Sequence, residues 1–193
     1  MAFMFDIETL SVESTAVILS YAIVHFDPND KPTYQQLLDN TLFIKIDAKS
    51  QVTDLKRTVS KEVMEWWDKQ PAHAKKVSLI PDPIIDVSPL SAYNILQAYV
   101  NKYPNINNQT FWARGSMDQV CIESFCKSLD KEPVSSYNNW RDVRTAVDLL
   151  YGSTNGYCDI DHPEFSRDMV IKHTPYHDVC LDVMMLIYGK EKV

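Results

Sequence analysis

Two acidic residues end an otherwise apolar segment near the amino end of the sequence. Residues 2–7 read Ala-Phe-Met-Phe-Asp-Ile, which predicts a short buried strand, and Glu8 follows. Side chains two positions apart in a strand share a face, so the carboxylates of Asp6 and Glu8 project together. Holding two like charges side by side in a buried strand is costly unless a cation lies between them. The alternative is a strand end that simply reaches solvent.

A third acid, Asp118, lies in the first turn of a helix predicted from Met117 to Leu129, with Ser116 as its N-cap. Helical spacing puts Asp118 on the face that must pack on the sheet, together with Ile122, Phe125 and Leu129. The carboxylate therefore points inward, toward the region where Asp6 and Glu8 are expected. The alternative is an acid that only complements the helix dipole.

The segment from His173 to Asp178 reads His-Thr-Pro-Tyr-His-Asp and combines a histidine with a fourth acid. Thr174 suits the N-cap of a helix and Pro175 its first position. His173 then lies in a loop just outside the helix, where it can move over a site while Asp178 is held rigidly one turn inside. The competing histidine is His177, whose alternative role is a solvent-facing or structural imidazole.

Four carboxylates and an imidazole suit the hydrolysis of a phosphodiester. Such a reaction needs deprotonation of the attacking water and stabilisation of the charge on the leaving 3′ oxygen, and two divalent cations can stabilise both oxygens. Mg²⁺ prefers carboxylate oxygen, so four acids fit a pair of such ions. A histidine can accept the proton of the water near neutral pH. Zinc is less suitable, because no cysteine joins the cluster.

The elements that must position these residues predict one α/β domain over residues 1–193. Three early strands with short connections, an antiparallel meander, are predicted at residues 2–7, 16–26 and 41–46. Helices and further strands alternate after them: helix 61–69, a short helix from Pro71, helix 89–103, strand 110–113, helix 117–129, a strand and helix within 139–151, a loop at 161–166 and a helix after His173. This order predicts a mixed β-sheet flanked by α-helices.

Composition restricts the function classes. The net charge is −7, with 19 basic and 26 acidic residues, which excludes a strongly basic protein that coats DNA but not an enzyme that binds one chain end.

We expect no membrane association and no signal peptide, because apolar runs are short and the amino end lacks basic residues. Four cysteines without a C-x-x-C pair fit reduced thiols in a cytoplasm.

The order Asp-x-Glu, Asp and His-x₄-Asp resembles the DEDD 3′→5′ exonucleases, in the branch with a histidine base (DEDDh). Further similarity, to the exonuclease A group of T-even-like bacteriophages, covers nearly the whole chain at residues 6–10, 16–29, 44–51, 65–70, 112–115, 139–145 and 173–178. The resemblance implies a ribonuclease H-like fold and, for a phage protein, a location in the host cytoplasm. Around Asp118 the sequence departs from the family, since Met117 stands where many members have phenylalanine.

The resemblance also implies roles for the candidate residues. Asp6, Glu8, Asp118 and Asp178 would hold two divalent ions, Mg²⁺ with Mn²⁺ as a substitute, and His173 rather than His177 would be the general base. Thr9 and Leu10 would contact the terminal nucleotide. Within Glu65–Gln70 we expect one tryptophan to pack under the helix, while Trp67 and Gln70 face the substrate, where an aromatic ring can stack on any base. Arg144 could contact phosphate, although an exposed arginine at a helix start is the default.

Three hypotheses for function follow. The first is an exodeoxyribonuclease that removes nucleoside monophosphates from single-stranded or frayed 3′ ends. The second is an exoribonuclease or oligoribonuclease with the same site. The third is a catalytically inactive nucleic-acid-binding module of the same fold, which the presence of all four acids and the histidine disfavours.

Overall fold

The computed structural model describes residues 1–105 and 108–190, and the last three residues of the expected single domain lie outside these ranges. Its centre is a five-stranded sheet with the order β3-β2-β1-β4-β5. The strands are β1 Ala2–Thr9, β2 Ile18–Phe26, β3 Leu42–Lys45, β4 Thr110–Ala113 and β5 Trp140–Asp142. Strands β1 to β3 pair antiparallel, whereas β4 and β5 run parallel to β1. The mixed sheet expected from the sequence is confirmed.

Helices pack on both faces of this sheet. They are α1 Tyr34–Asn40, α2 Ala48–Thr53, α3 Lys61–Asp68, α4 Ala72–Ala74 continued by a π-helical turn Lys75–Leu79, α5 Pro89–Val100, α6 Met117–Ser128, α7 Val143–Tyr151 and α8 Pro175–Tyr188. Two short 3₁₀ turns, Tyr137–Asn139 and Arg167–Met169, and a small sheet of β6 Asp159–Ile160 with β7 Gly189–Lys190 complete the fold.

The register of β1 decides which face carries the acids. Phe3, Phe5 and Ile7 pack in a core cluster with residues of α5 and α6, while Ala2 and Met4 pack with α7 and α8. Because side chains alternate along a strand, Asp6 and Glu8 continue the second set. Their carboxylates therefore lie on the face covered by α8, at the carboxyl end of the central strand.

Several local expectations need correction. The early strands form the expected meander, but helix α1 lies between β2 and β3 where a short connection was expected, and α5 ends at Val100 rather than at residue 103. Ser116 and Thr174 occupy the N-cap positions of α6 and α8, yet neither side chain makes a capping hydrogen bond. The Thr174 hydroxyl donates instead to the carbonyl of Ile171.

All four cysteines are free and buried. Among the helices within residues 1–105 and 108–190, none has the length and apolar character that crossing a membrane would require.

A buried amide joins α2 to the start of β2. Gln51 is fully buried, its Oε1 accepts from the Ile18 N–H at 2.9 Å, and its Nε2 donates to the Ile18 carbonyl at 2.7 Å. A buried backbone group without a partner costs about 1–3 kcal/mol. The side chain of Gln51 thus substitutes for a strand neighbour at this point.

We predict that Gln51→Met lowers the free energy of unfolding by about 2–4 kcal/mol, since it leaves both backbone groups of Ile18 unpaired. Urea unfolding followed by circular dichroism measures the change. Gln35→Met on the surface of α1, where the amide donates to the exposed Asp39, is the matched control and should stay within about 0.5 kcal/mol of the parent. Equal stability of the two variants would contradict this role.

Candidate active site

Three of the expected acids meet at the carboxyl end of β1. One carboxylate oxygen from each of Asp6, Glu8 and Asp178 lies within 4.8 Å of the others, and all three side chains are partly buried. They line a cavity of about 680 Å³. Asp6 and Glu8 come from β1, and Asp178 comes from the first turn of α8, so the cluster joins two elements that are distant in sequence.

Asp118 lines the same cavity but lies outside this three-acid cluster. It is 6% exposed, and its Oδ1 accepts a hydrogen bond from the Ile7 N–H at 3.1 Å. Ile122 and Phe125, on the same face of α6, are buried in the core as the helical spacing predicts. The carboxylate therefore reaches the end of β1 between Asp6 and Glu8, with one oxygen already engaged.

The first turn of α8 holds Asp178 by a bond to its own helix start. Its Oδ2 accepts from the Thr174 N–H at 3.1 Å. This bond satisfies one of the unpaired amides at the helix amino end, while the Thr174 hydroxyl donates to the Ile171 carbonyl. The interaction fixes the direction of the Asp178 side chain toward the cluster.

His173 lies directly before this helix and lines the cavity. Its backbone has the left-handed φ of 60°, a conformation that costs energy for a residue other than glycine. Its Nδ1 is 4.0 Å from Oε1 of Glu8, and its ring meets Trp66 edge to face, with centroids 4.9 Å apart. Burial, with a contribution from Lys172, lowers the pKa of His173, so the neutral imidazole is favoured.

His177 is part of the core instead. It is buried, its Nδ1 lies 2.6 Å from the Tyr34 hydroxyl, and its ring stacks on that tyrosine. It does not line the cavity. The structural role considered for His177 thus matches its surroundings.

The expectation that Trp67 faces the substrate is wrong. Trp67 is fully buried, packs in a cluster with Leu10, and donates from Nε1 to the Thr9 carbonyl at 3.0 Å. Trp66 is 40% exposed and its ring lies against His173, although it does not line the cavity. Adjacent helical residues point about 100° apart, and the face that packs on the sheet contains Trp67.

Of the three other residues expected to contact substrate, one lines the cavity and two do not. Thr9 lines the cavity, whereas Leu10 turns into the core. Gln70 does not line the cavity, and its amide donates to the Trp66 carbonyl at 2.9 Å.

Burial and mutual repulsion perturb all four acids. Burial, reinforced by the neighbouring carboxylates, raises the pKa of Asp6 well above its usual range and that of Glu8 to about 8. Burial raises the pKa of Asp118 and of Asp178 to about 7. Three convergent hard oxygen donors in a partly buried pocket, each costly to ionise without a cation, fit a divalent ion such as Mg²⁺ or Mn²⁺.

A buried ion pair beneath the acids was missed by the sequence reasoning. Asp182, one turn after Asp178 on α8, is 5% exposed and accepts three bonds from Arg114. Nη2 donates to Oδ1 at 2.5 Å, and Nε donates to Oδ1 at 3.1 Å and to Oδ2 at 3.2 Å. Arg114 also donates to the Gly156 carbonyl at 2.7 Å, and its guanidinium lies 4.2 Å from the centre of the Tyr157 ring. The i,i+4 spacing of the two aspartates on α8 was the available signal.

Most of the wall between α7 and α8 was also missed. Besides Arg114, the cavity is lined there by Arg144, Asn155, Tyr157, Asp159, Arg167 and Lys172. Arg144, for which phosphate contact was considered, lies in the first turn of α7. The other five residues lie between α7 and α8 in a segment with little periodic structure, where hydrophobic periodicity offers no signal.

Together, the mixed sheet, its carboxylate cluster and the adjacent histidine fit the nuclease class expected from the sequence. The model of the family described as "3′-5′ exoribonuclease Rv2179c-like domain" matches residues 1–180. The chain therefore belongs to that family, and the expected exonuclease class is confirmed.

Two individual proteins are similar to this chain. The exodeoxyribonuclease of Enterobacteria phage T4 is 28% identical over an alignment length of 207, which covers 97% of this chain and 88% of that protein. The crystal structure of the nuclease domain of 3′hExo, a DEDDh family member bound to rAMP, matches with a TM-score of 0.59 and 11% identity over 100% of this chain and 96% of that chain. This likeness confirms the ribonuclease H-like fold.

The raised carboxyl pKa values make a prediction about stability. Because Glu8 and Asp178 bind protons more tightly in the folded protein, their stabilising contribution is complete below about pH 4 and is lost as pH rises through 7 to 8. We expect the Tm in EDTA to fall by about 5 °C or more between pH 5.5 and 8.5, since a tenfold change in proton affinity is worth about 1.4 kcal/mol.

Mn²⁺ should remove most of this loss at pH 8, because a cation offsets the repulsion between the carboxylates. Differential scanning fluorimetry measures both effects. Glu8→Gln should show a smaller fall with pH and a smaller response to Mn²⁺. A Tm that is independent of both pH and Mn²⁺ would show that the acids do not repel one another as the geometry requires.

Proposed function

We propose that a single domain spanning residues 1–193 hydrolyses nucleic acids from the 3′ end and releases nucleoside monophosphates. The observation that carries the proposal is the convergence of Asp6, Glu8 and Asp178 within 4.8 Å beside His173. We assign these acids and Asp118 as the residues that would hold two divalent ions. When bound, such ions stabilise negative charge on the attacking and departing oxygens.

His173 is assigned the role of general base. The support is its position at the cavity, where its Nδ1 lies 4.0 Å from Oε1 of Glu8. The lowered pKa keeps the imidazole neutral, and hence able to accept a proton, at and somewhat below pH 6.5. Trp66 at the edge of the ring restricts its orientation.

The terminal nucleotide is assigned to Thr9 and Trp66. Thr9 lines the cavity next to Glu8, and the exposed Trp66 offers a flat apolar surface beside His173. Stacking on an aromatic ring tolerates every base, which suits an enzyme that shortens chains of any sequence.

DNA is the substrate that we propose first, as single-stranded or frayed 3′ ends. The support is the T4 relative, which is named an exodeoxyribonuclease and aligns with 97% of this chain. RNA is the second candidate, supported by the description of the family model as an exoribonuclease-like domain. An inactive binding module is disfavoured by the convergence of the acids.

The buried, free cysteines support a reducing compartment such as a cytoplasm.

A 5′-labelled single strand tests the activity directly. We expect a ladder that shortens from the 3′ end with Mg²⁺ or Mn²⁺ and stops with EDTA, and parallel DNA and RNA strands identify the preferred sugar. Asp6→Asn and Asp178→Asn should each reduce the rate by more than about a hundredfold, since each removes a charge from the ion-binding cluster. Asp148→Asn, an exposed position on α7, is the control. Cuts in circular DNA, or wild-type rates in both site variants, would reject the proposal.

The two histidines predict opposite outcomes. His173→Gln should reduce kcat by about 10²–10⁴ without a large change in Tm, because it removes the proton acceptor. His177→Gln should lower the Tm through its bond to Tyr34 and leave kcat within a few-fold of the parent at a temperature where it is folded. In the parent, the acid limb of kcat/KM should lie below pH 6.5, as the lowered pKa of His173 requires. The reverse ranking of the variants would move the base to His177.

A further inference from the structure

One wall of the cavity carries basic side chains that form no ion pair with the carboxylates of the described residues. These side chains belong to Arg144, Arg167 and Lys172. Arg114, the fourth basic residue of the wall, is already paired with Asp182. The unpaired cations are unexpected in a chain of net charge −7.

Arg144 and Arg167 both contact the same short loop, residues 153–158. A Cβ on Gly156 would lie 2.7 Å from Cγ of Arg144, so the stem of that arginine packs directly on the glycine, whose φ is 73°. Arg167 donates to the carbonyl of Cys158. The stem of Arg144 and the guanidinium of Arg167 are therefore both in contact with the backbone of this loop.

Internal bonds stiffen the loop. Asn155 Oδ1 accepts from the Ser153 hydroxyl and from the Tyr157 N–H, both at 2.9 Å. The Gly156 N–H donates to the Ser153 carbonyl at 2.9 Å, and the Gly156 carbonyl accepts from Arg114. A loop tied in this way can present fixed charges, which lowers the entropy lost when a ligand binds.

Charge balance indicates what the wall meets. If two divalent ions occupy the acids, as the proposed function requires, the four carboxylates of Asp6, Glu8, Asp118 and Asp178 are offset. The Arg114–Asp182 pair is neutral as well. Arg144, Arg167 and Lys172 then outnumber Asp159, the remaining acid that lines the cavity, so the wall attracts anions.

The topology places Arg144 and Trp66 on different sides of the reaction centre. Trp66 belongs to α3, whose Trp67 packs with Leu19 of β2 and with Val17 just before that strand. Arg144 follows β5, which lies on the other side of β1 in the strand order. The central strand β1, with Asp6 and Glu8, lies between them. A nucleic-acid strand whose terminal base lies near Trp66 would extend toward the arginines.

We propose that Arg144 and Arg167, positioned by residues 153–158, bind phosphates of the substrate strand on the 5′ side of the bond that is cut. The inference rests on the proposed function and adds a substrate class to it, since it makes the protein select oligonucleotides over mononucleotide esters. Guanidinium groups suit phosphate because their fork can donate two parallel bonds. Contacts to phosphate carry no base information, which agrees with a sequence-tolerant exonuclease.

Binding without turnover is the first test. A 5′-fluorescein single strand of about ten nucleotides is titrated with the protein in Ca²⁺, and anisotropy gives Kd at several salt concentrations. Arg144→Gln and Arg167→Gln should each weaken binding by about fivefold and reduce the slope of log Kd against log salt by about 0.7. Arg141→Gln is the matched control, because Arg141 is exposed and bonds the carbonyls of Asn138 and Trp140.

Turnover on two substrates is the second test. The p-nitrophenyl ester of thymidine 5′-phosphate has no upstream phosphate, so the ratio of kcat/KM for the oligonucleotide to that for the ester should fall about fivefold in each variant. Matching ratios and salt slopes in Arg144→Gln, Arg167→Gln and Arg141→Gln would overturn the inference while leaving the nuclease activity intact. An equal loss on both substrates would also overturn it.

The wild-type protein separates the two proposals. If it binds the oligonucleotide with the expected salt slope but cleaves neither substrate, the proposed activity fails while the phosphate-binding wall stands. If it cleaves the ester but shows no measurable binding of the single strand, the wall fails and the activity stands.

Discussion

The repulsion among Asp6, Glu8 and Asp178 is the constraint on which the site depends. Their oxygens lie within 4.8 Å of one another, and burial raises the pKa of each above its usual range. Carboxylates in such a place destabilise the fold at neutral pH unless a cation or protons offset their charge. The rest of the structure holds them together against this repulsion.

Rigid elements supply that restraint. Asp6 and Glu8 belong to the central strand, which pairs on both sides with β2 and β4, and Asp178 bonds the amide of Thr174 at the start of α8. Separation of the acids would require the sheet to part from α8, which contributes much of the buried cluster on that face. Unlike these acids, His173 lies outside regular structure, in a loop where its backbone has a strained left-handed conformation.

A second electrostatic layer connects the acids to the substrate wall. Asp182 and Arg114 form a buried pair, and Arg114 continues to the carbonyl of Gly156. Breaking one partner of such a pair leaves an uncompensated buried charge, which is far more costly than the net value of the pair. The same glycine supports the stem of Arg144. Arg114 therefore links Asp182, beside the acids, to the loop that contacts Arg144.

The sequence by itself determined the mixed α/β class, the shared face of Asp6 and Glu8, the inward direction of Asp118 and the helix start that separates His173 from Asp178. These features follow from strand alternation, helical spacing and capping, which are local. Only the tertiary structure decided that Trp66 rather than Trp67 is exposed, that Leu10 is buried, and that Asp182 pairs with Arg114. Those outcomes depend on which side of a helix meets the sheet and on contacts 68 residues apart in the chain, where local preference carries no information.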